Sequence, residues 1–201
     1  MMSTMKTMLK GRLVTLRPIE KEQLPQFQAW FSQYELARVM NPGTVRLPNA
    51  EGEEAWYRDF VLTGGAHVFA IFVNDPSARA PRLVGSCSLQ QIDHKNRRAM
   101  CGIAIGAPEA RGMGYGSEAL RLLIEWGFLE LNLNRIALMV LELNPDARRL
   151  YDRLGFKLEG TARQAVFREG RFWDEHSMAI LREDYTPDEL WGLATPRGAS
   201  A

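Results

Sequence analysis

The spacing of apolar positions changes several times along the chain, and each change marks a different element. Residues 13–19, LVTLRPI, alternate apolar and polar as a half-buried strand does. Residues 20–40 then follow helical periodicity, interrupted at Pro25, and residues 49–63 read as a short helix with Asn49 as cap and acidic residues in its first turn. Three apolar runs come next, at 67–73, 82–92 and 98–106, separated by the turn-forming NDPSARAP and DHKN, so they predict an antiparallel meander. From about 116 to 131 the period returns to 3.6: Leu120, Leu123, Ile124, Gly127, Phe128 and Leu131 share one face, and Glu118, Arg121 and Glu125 fall off it. Residues 135–141, RIALMVL, are continuously apolar, as a central strand buried on both faces should be.

A second helix is bounded by its own punctuation. Asn144 stands at the N-cap, Pro145 at the first helical position and Asp146 in the first turn, while Gly155 and Phe156 mark the end. The stretch 157–181 reads as two strands around the turn REGR. An antiparallel first half followed by mixed elements predicts an α+β fold around one twisted sheet. Residues 11–186 are expected to form a single domain, with 1–10 as a flexible tail and 187–201 as a C-terminal extension.

Composition removes several function classes. Lys plus Arg number 25 and Asp plus Glu 24, so no global field favours nucleic acid or a membrane surface as partner, and an anion has to be held locally. Cys87 and Cys101 have no metal-ligand spacing and read as small buried hydrophobes; no metal is expected. The basic, Met-rich start lacks the apolar run of a signal peptide, and no stretch is long and apolar enough to span a bilayer, which predicts a soluble cytoplasmic protein.

Between the strand ending near 106 and the helix beginning near 116 lies RGMGYGS, with glycines at 112, 114 and 116. Glycine lets successive backbone N–H groups converge, and a helix N-terminus adds unsatisfied donors and a positive dipole end. Strand, glycine loop and helix together make a cradle for a phosphate or pyrophosphate, with Arg111 adding charge at its mouth. A nucleotide-triphosphate P-loop requires a lysine before Ser117 that is missing here. A dinucleotide loop fits only loosely, because APEAR separates the strand from its glycines and the preceding strands form a meander. A plain glycine turn without a ligand is the third reading.

RGMGYG resembles the Arg/Gln-x-x-Gly-x-Gly/Ala signature of the GNAT superfamily of acyl-CoA-dependent N-acetyltransferases, and the stretch from 134 to 181 is similar to the branch that acetylates ribosomal-protein N-termini. The resemblance is dense from about 96 to 182 and weaker from 12 to 95. It implies the GNAT fold, a mostly antiparallel, mixed sheet that splays near its middle, with acetyl-CoA as donor. By resemblance, the backbone of Ile103, Ala104 and Ile105 holds the pantetheine arm of CoA. Arg111, Gly112, Met113, Gly114, Tyr115 and Gly116 wrap the pyrophosphate, and Ser117 opens the helix. Asn144 contacts the cofactor beside its capping role. Tyr151, which spacing alone makes a core aromatic of the last helix, becomes the general acid for the departing thiolate. Arg148, Arg149 and Arg153 line that helix's outer face, as a solvated surface or against a ribose phosphate.

The acceptor implied is a protein N-terminus or a small polar amine; the oligomeric state is not readable from the residues, and the resemblance alone points to a homodimer, the assembly common among relatives. One departure stands out: the strand position where many relatives carry a glutamate base is Met100, which cannot take a proton. At pH 7 an α-amine with pKa near 7.8 is roughly 14% neutral and a lysine-type amine near 10.4 only about 0.04%, so a weakly basic amine is the easier nucleophile. Asp93, His94, Asp174 and His176 are the substitute candidates, and Trp30, Tyr34, Trp56 and Tyr57 are candidates for framing the acceptor. Loss of the base also permits a second reading, a CoA-sensing module without catalysis; a dinucleotide-dependent oxidoreductase is a third.

Overall fold

The computed structural model describes residues 9–40, 48–63 and 65–186; residues 1–8 of the expected N-terminal tail and the whole expected C-terminal extension, 187–201, lie outside them. Eight strands form one open sheet in the order β1-β2-β3-β4-β5-β6-β8-β7. They are β1 (Leu9–Lys10), β2 (Val14–Pro18), β3 (His67–Val73), β4 (Arg82–Asp93), β5 (Arg98–Ile105), β6 (Arg135–Leu141), β7 (Lys157–Arg168) and β8 (Arg171–Leu181). Every neighbouring pair is antiparallel except β5 with β6, so the sheet is mixed and mostly antiparallel, the GNAT arrangement. The expected flexible start needs one correction: Leu9 and Lys10 pair with Leu16 and Thr15, and Leu9 is fully buried. An apolar side chain with a place in the core outweighs the entropy of a chain end.

The N-terminal helical run divides where local chemistry divides it. A 3-10 turn at Lys21–Gln23 leads into α1 (Leu24–Phe31), a break follows, and α2 (Tyr34–Met40) completes the segment. Pro25 lies in the first turn of α1, where its missing N–H costs nothing, so it opens a helix and does not interrupt one. The next helix, α3 (Ala50–Trp56), is capped as expected by Asn49, whose side chain accepts from the Gly52 N–H at 2.8 Å. Its second half, Tyr57–Leu62, winds as a π-helix. α4 (Tyr115–Leu129) starts one residue earlier and ends two earlier than its periodicity predicts, and α5 (Pro145–Arg153) has its predicted cap and stop, with Gly155 at φ 92°.

Two acidic residues of α4 depart from the amphipathic reading. Glu118 and Glu125 are both buried. Glu125 is reached by the Tyr185 hydroxyl at 3.4 Å. Glu118 accepts from three consecutive backbone N–H groups, those of Arg12 (3.1 Å), Leu13 (2.6 Å) and Val14 (2.7 Å). A carboxylate so satisfied replaces the water it leaves. Hydrophobic periodicity cannot register such a residue, because its partner is the backbone of a turn more than a hundred positions away. The bond set clamps the first turn of α4 to the β1–β2 turn. No described helix is long and apolar enough to cross a membrane.

Glu118→Ala strands one buried and two partly buried donors, and we expect a loss of about 3 kcal/mol in unfolding free energy. Urea denaturation measures it, and a midpoint unchanged from wild type would contradict the clamp.

Candidate active site

The site begins where two strands stop pairing. β5 and β6 run side by side only from Arg98 to Met100 and from Arg135 to Ala137. Beyond that, β5 continues to Ile105 held by β4 alone, and β6 continues to Leu141 held by β8 alone. The sheet therefore opens into a V whose inner edges, Cys101–Ile105 and Leu138–Leu141, have no strand between them. Strand edges left open carry unpaired N–H and C=O groups, and an extended polar chain is their natural complement. The V is part of a cleft of about 1150 Å³, large enough for a dinucleotide-sized ligand and lined among others by Ile103, Ala104, Ile105, Met139 and Val140.

At the wide end of the V lies the glycine loop. Gly112 and Gly114 take φ of 75° and 83°, a region that side-chain-bearing residues enter at a cost. Gly114 is the N-cap of α4 and no side chain caps that helix, so the N–H groups of Tyr115, Gly116 and Ser117 are left for something in the cleft. These three residues, with Arg111, Gly112 and Gly114, line the cleft; Met113 does not, and its side chain is 59% exposed. Donors of this kind at a helix N-terminus fit a pyrophosphate.

Arg111 lines the cleft, and its side chain is also bonded to the strand end. Its Nε donates to the Ile105 carbonyl at 3.1 Å and its Nη2 to that of Gly106 at 3.5 Å. The guanidinium is thus latched to the end of β5, because carbonyls left without a ladder partner attract the nearest strong donor. Behind it, a Cβ on Gly106 would stand 2.3 Å from the Trp30 ring, so only glycine lets α1 pack against the strand end there.

Tyr151 projects from α5 into the cleft beside Cys101. It is buried, its ring packs 5.8 Å from Phe156, and no hydrogen bond engages its hydroxyl among the described residues. Burial first and the neighbouring Cys101 second push its phenol well above the ordinary value near 10, so at neutral pH it is a proton donor only. Burial likewise pushes the Cys101 thiol up to about 12 and the Cys87 thiol higher still, which makes both inert as nucleophiles. Asn144 lines the cleft with its Oδ1 committed to the Ala147 N–H at 3.1 Å, leaving its amide NH₂ unengaged among the described residues.

The structure gathers Tyr151, Asn144, Ile103–Ile105 and the glycine loop into one cleft, and it disperses the substitute bases. Asp93 is spent on its own turn, accepting from the Asn96 N–H at 2.9 Å and pairing with Arg98 at 3.3 Å. His94 is exposed on that turn. Asp174 accepts from the Gln164 N–H at 2.8 Å, and His176 Nδ1 lies 2.9 Å from the Thr161 hydroxyl. None of the four lines the cleft, whereas Met100 does. The aromatic candidates also fall elsewhere: Trp30 and Trp56 pack around Phe27 in the core, and neither Tyr34 nor Tyr57 lines the cleft. The wall they were expected to form belongs to α2 through Glu35, Leu36, Arg38, Val39 and Met40, opposite Gln90 and Gln91. Arg38 pairs with Glu35 at 3.2 Å and with Glu169 of the β7–β8 turn at 2.8 Å, tying helix and hairpin together.

Known proteins share this fold. Residues 13–157 match the family model described as an acetyltransferase (GNAT) domain. An uncharacterized N-acetyltransferase from Bacillus licheniformis is 33% identical over 183 residues, 90% of this chain and 99% of its own. The spermidine N(1)-acetyltransferase of Escherichia coli is 35% identical over 180 residues, covering 86% and 88% of the two chains. Among solved structures, spermidine N-acetyltransferase from Vibrio cholerae in complex with CoA and spermine superposes with a TM-score of 0.76 at 26% identity, covering 86% of this chain and 98% of that one. An open V, a glycine loop at a bare helix end and a protonated buried tyrosine thus stand on a shared framework: the chain belongs to the GNAT family and is an N-acetyltransferase whose acetyl donor is acetyl-CoA.

Proposed function

We propose that this enzyme acetylates a primary amine of a small polar, polyamine-like acceptor by direct attack on the thioester, with Tyr151 as general acid. The observation that carries the reading is the Tyr151 phenol, buried, protonated and without a hydrogen bond among the described residues, in the same cleft as the open edge of β5 and the glycine loop. Acetyl-CoA supplies an acyl carbon already activated by its thioester. The protein's part is positional and electrostatic. Backbone groups of Ile103, Ala104 and Ile105 hold the pantetheine arm in strand-like fashion and aim donors at the oxygen where negative charge develops. The N–H groups of Gly112 to Ser117 hold the pyrophosphate. Arg111 keeps that loop seated on β5, and the Asn144 amide reaches the arm from the other side. Tyr151 delivers its hydroxyl proton to the departing sulfur. No cysteine here is acidic enough to form an acyl-enzyme at neutral pH, which favours direct transfer.

The acceptor enters past α2. Glu35 and Glu169 flank the single guanidinium of Arg38, leaving an excess negative charge that favours a cationic molecule. Among relatives whose names state an acceptor, spermidine enzymes match over most of this chain and a putative ribosomal N-acetyltransferase from Bacillus subtilis over 51% of it, which ranks a small polyamine ahead of a protein N-terminus. Because Met100 stands where a carboxylate base would, the acceptor loses its ammonium proton to solvent before attack.

Two outcomes follow. Tyr151→Phe lowers kcat about 100-fold while calorimetric affinity for acetyl-CoA stays as in wild type; undiminished kcat would overturn the acid assignment. In wild type, kcat/KM for a polyamine rises about tenfold per pH unit toward the amine pKa near 10.4. Raising pH creates the neutral nucleophile, and the upward-shifted Tyr151 stays protonated, so no falling limb interrupts the rise. A plateau beginning near neutrality would reveal a protein base.

A further inference from the structure

A departing sulfur and an attacking nitrogen need different sides of the thioester, and the two faces of the sheet supply them. Met100 is the last residue of β5 to pair with β6, so it marks the apex of the V. Its neighbour Cys101 lies beside Tyr151, and alternation along a strand turns Met100 to the other face, into the part of the cleft walled by α2. The acid thus occupies one face of the apex and leaves the other to the amine. Gln90 is the partner of Met100 across the β4–β5 ladder, which sets their Cβ atoms about 5 Å apart on that same face. Leu89 fixes the facing independently: a Cβ on Gly127 of α4 would meet its Cδ1 at 2.9 Å, so Leu89 points to α4 and Gln90 away from it.

Directly after Gln90 the strand carries an extra residue. β4 takes three steps from Gln90 to Asp93 where β5 takes two from Met100 to Arg98, and Gln91 adopts φ 52°. Bulges re-aim side chains beside active sites, and Gln91, which strict alternation would turn toward α4, also lines the cleft. The polar side chains that α2 contributes to this region, Glu35 and Arg38, are paired with each other. Gln90 is half-buried in the cleft, and its side-chain amide has no hydrogen bond among the described residues.

We propose that Gln90 Oε1 accepts a hydrogen bond from the reacting amine of the acceptor and holds its nitrogen at the apex of the V, on the face opposite Tyr151. This rests on a primary amine as acceptor and Tyr151 as acid, and it adds the residue that orients the nucleophile. An amide carbonyl accepts from an ammonium and from a neutral amine alike and takes the proton of neither. Gln90 therefore positions the nitrogen and leaves its proton to solvent.

Steady-state kinetics with spermidine and acetyl-CoA, from neutral to alkaline pH, test this in two variants. In Gln90→Leu, similar in size and without polar side-chain atoms, KM for spermidine rises about tenfold, the scale of one hydrogen bond to a charged group. KM for acetyl-CoA stays as in wild type, and kcat/KM keeps its slope of about tenfold per pH unit. In the isosteric Gln90→Glu, the introduced carboxylate stands beside the nitrogen and takes its proton in place. There kcat/KM at neutral pH rises above wild type and becomes independent of pH while the carboxylate is ionised and the free amine protonated; a side chain with only a structural role produces no such plateau. An unchanged KM for spermidine in Gln90→Leu, an equal rise in both KM values, or a Gln90→Glu profile with the wild-type slope would overturn the assignment. Wild type inactive toward spermidine would overturn the proposed acceptor, and Gln90 with it, a result seen before any variant is made.

Discussion

The parallel pairing of β5 with β6 ends after Met100 and Ala137, and the rest of the site follows from that break. Each arm of the V is anchored on its outer side, β5 by β4 up to Ile105 and β6 by β8 up to Leu141, so the gap does not close on itself. Buried backbone polar groups require partners, and a gap one strand wide with groups on both rims accepts an extended amide-bearing chain. The pantetheine arm of CoA is such a chain. The opening suits a binding site for the same reason that it would be a defect in a closed sheet.

The two ends of the V are fixed by different means. At the wide end, Glu118 ties the first turn of α4 to the β1–β2 turn, Arg111 ties the glycine loop to the end of β5, and Trp30 packs on Gly106. The loop's amides are therefore oriented before any anion arrives, which lowers the ordering entropy that binding has to overcome. At the narrow end, Tyr151 and Cys101 meet in an apolar setting that holds both protonated. One end is rich in unspent donors and the other is dry. The proposed placement of the donor puts its charged part at the first and its reacting sulfur at the second.

Much of this was legible in the sequence. Three alternate glycines before a helix announced an anion cradle, the Asn144–Pro145 cap and Gly155 stop bounded α5, and the apolar run 135–141 announced β6. What escaped had long-range causes. Glu118 is polar and buried because a distant turn offers three N–H groups, and Arg111 is latched because the strand ahead of it runs out of partners. One wall of the cleft fell to α2 and not to the nearby aromatics, because Trp30 and Trp56 are consumed in packing with Phe27. Local periodicity shows which face of an element is apolar; it does not show which neighbour will cover it.

On the proposed mechanism the cleft holds an acid without a matching base: the protein would serve the departing thiolate, and deprotonation of the acceptor would be left to the solvent. All of it depends on the donor lying along β5 with its phosphates on the loop. Amide hydrogen exchange with and without acetyl-CoA tests that placement directly. The account predicts slowed exchange in both 101–105 and 112–117 on adding the cofactor; binding that leaves these two segments unprotected would contradict it.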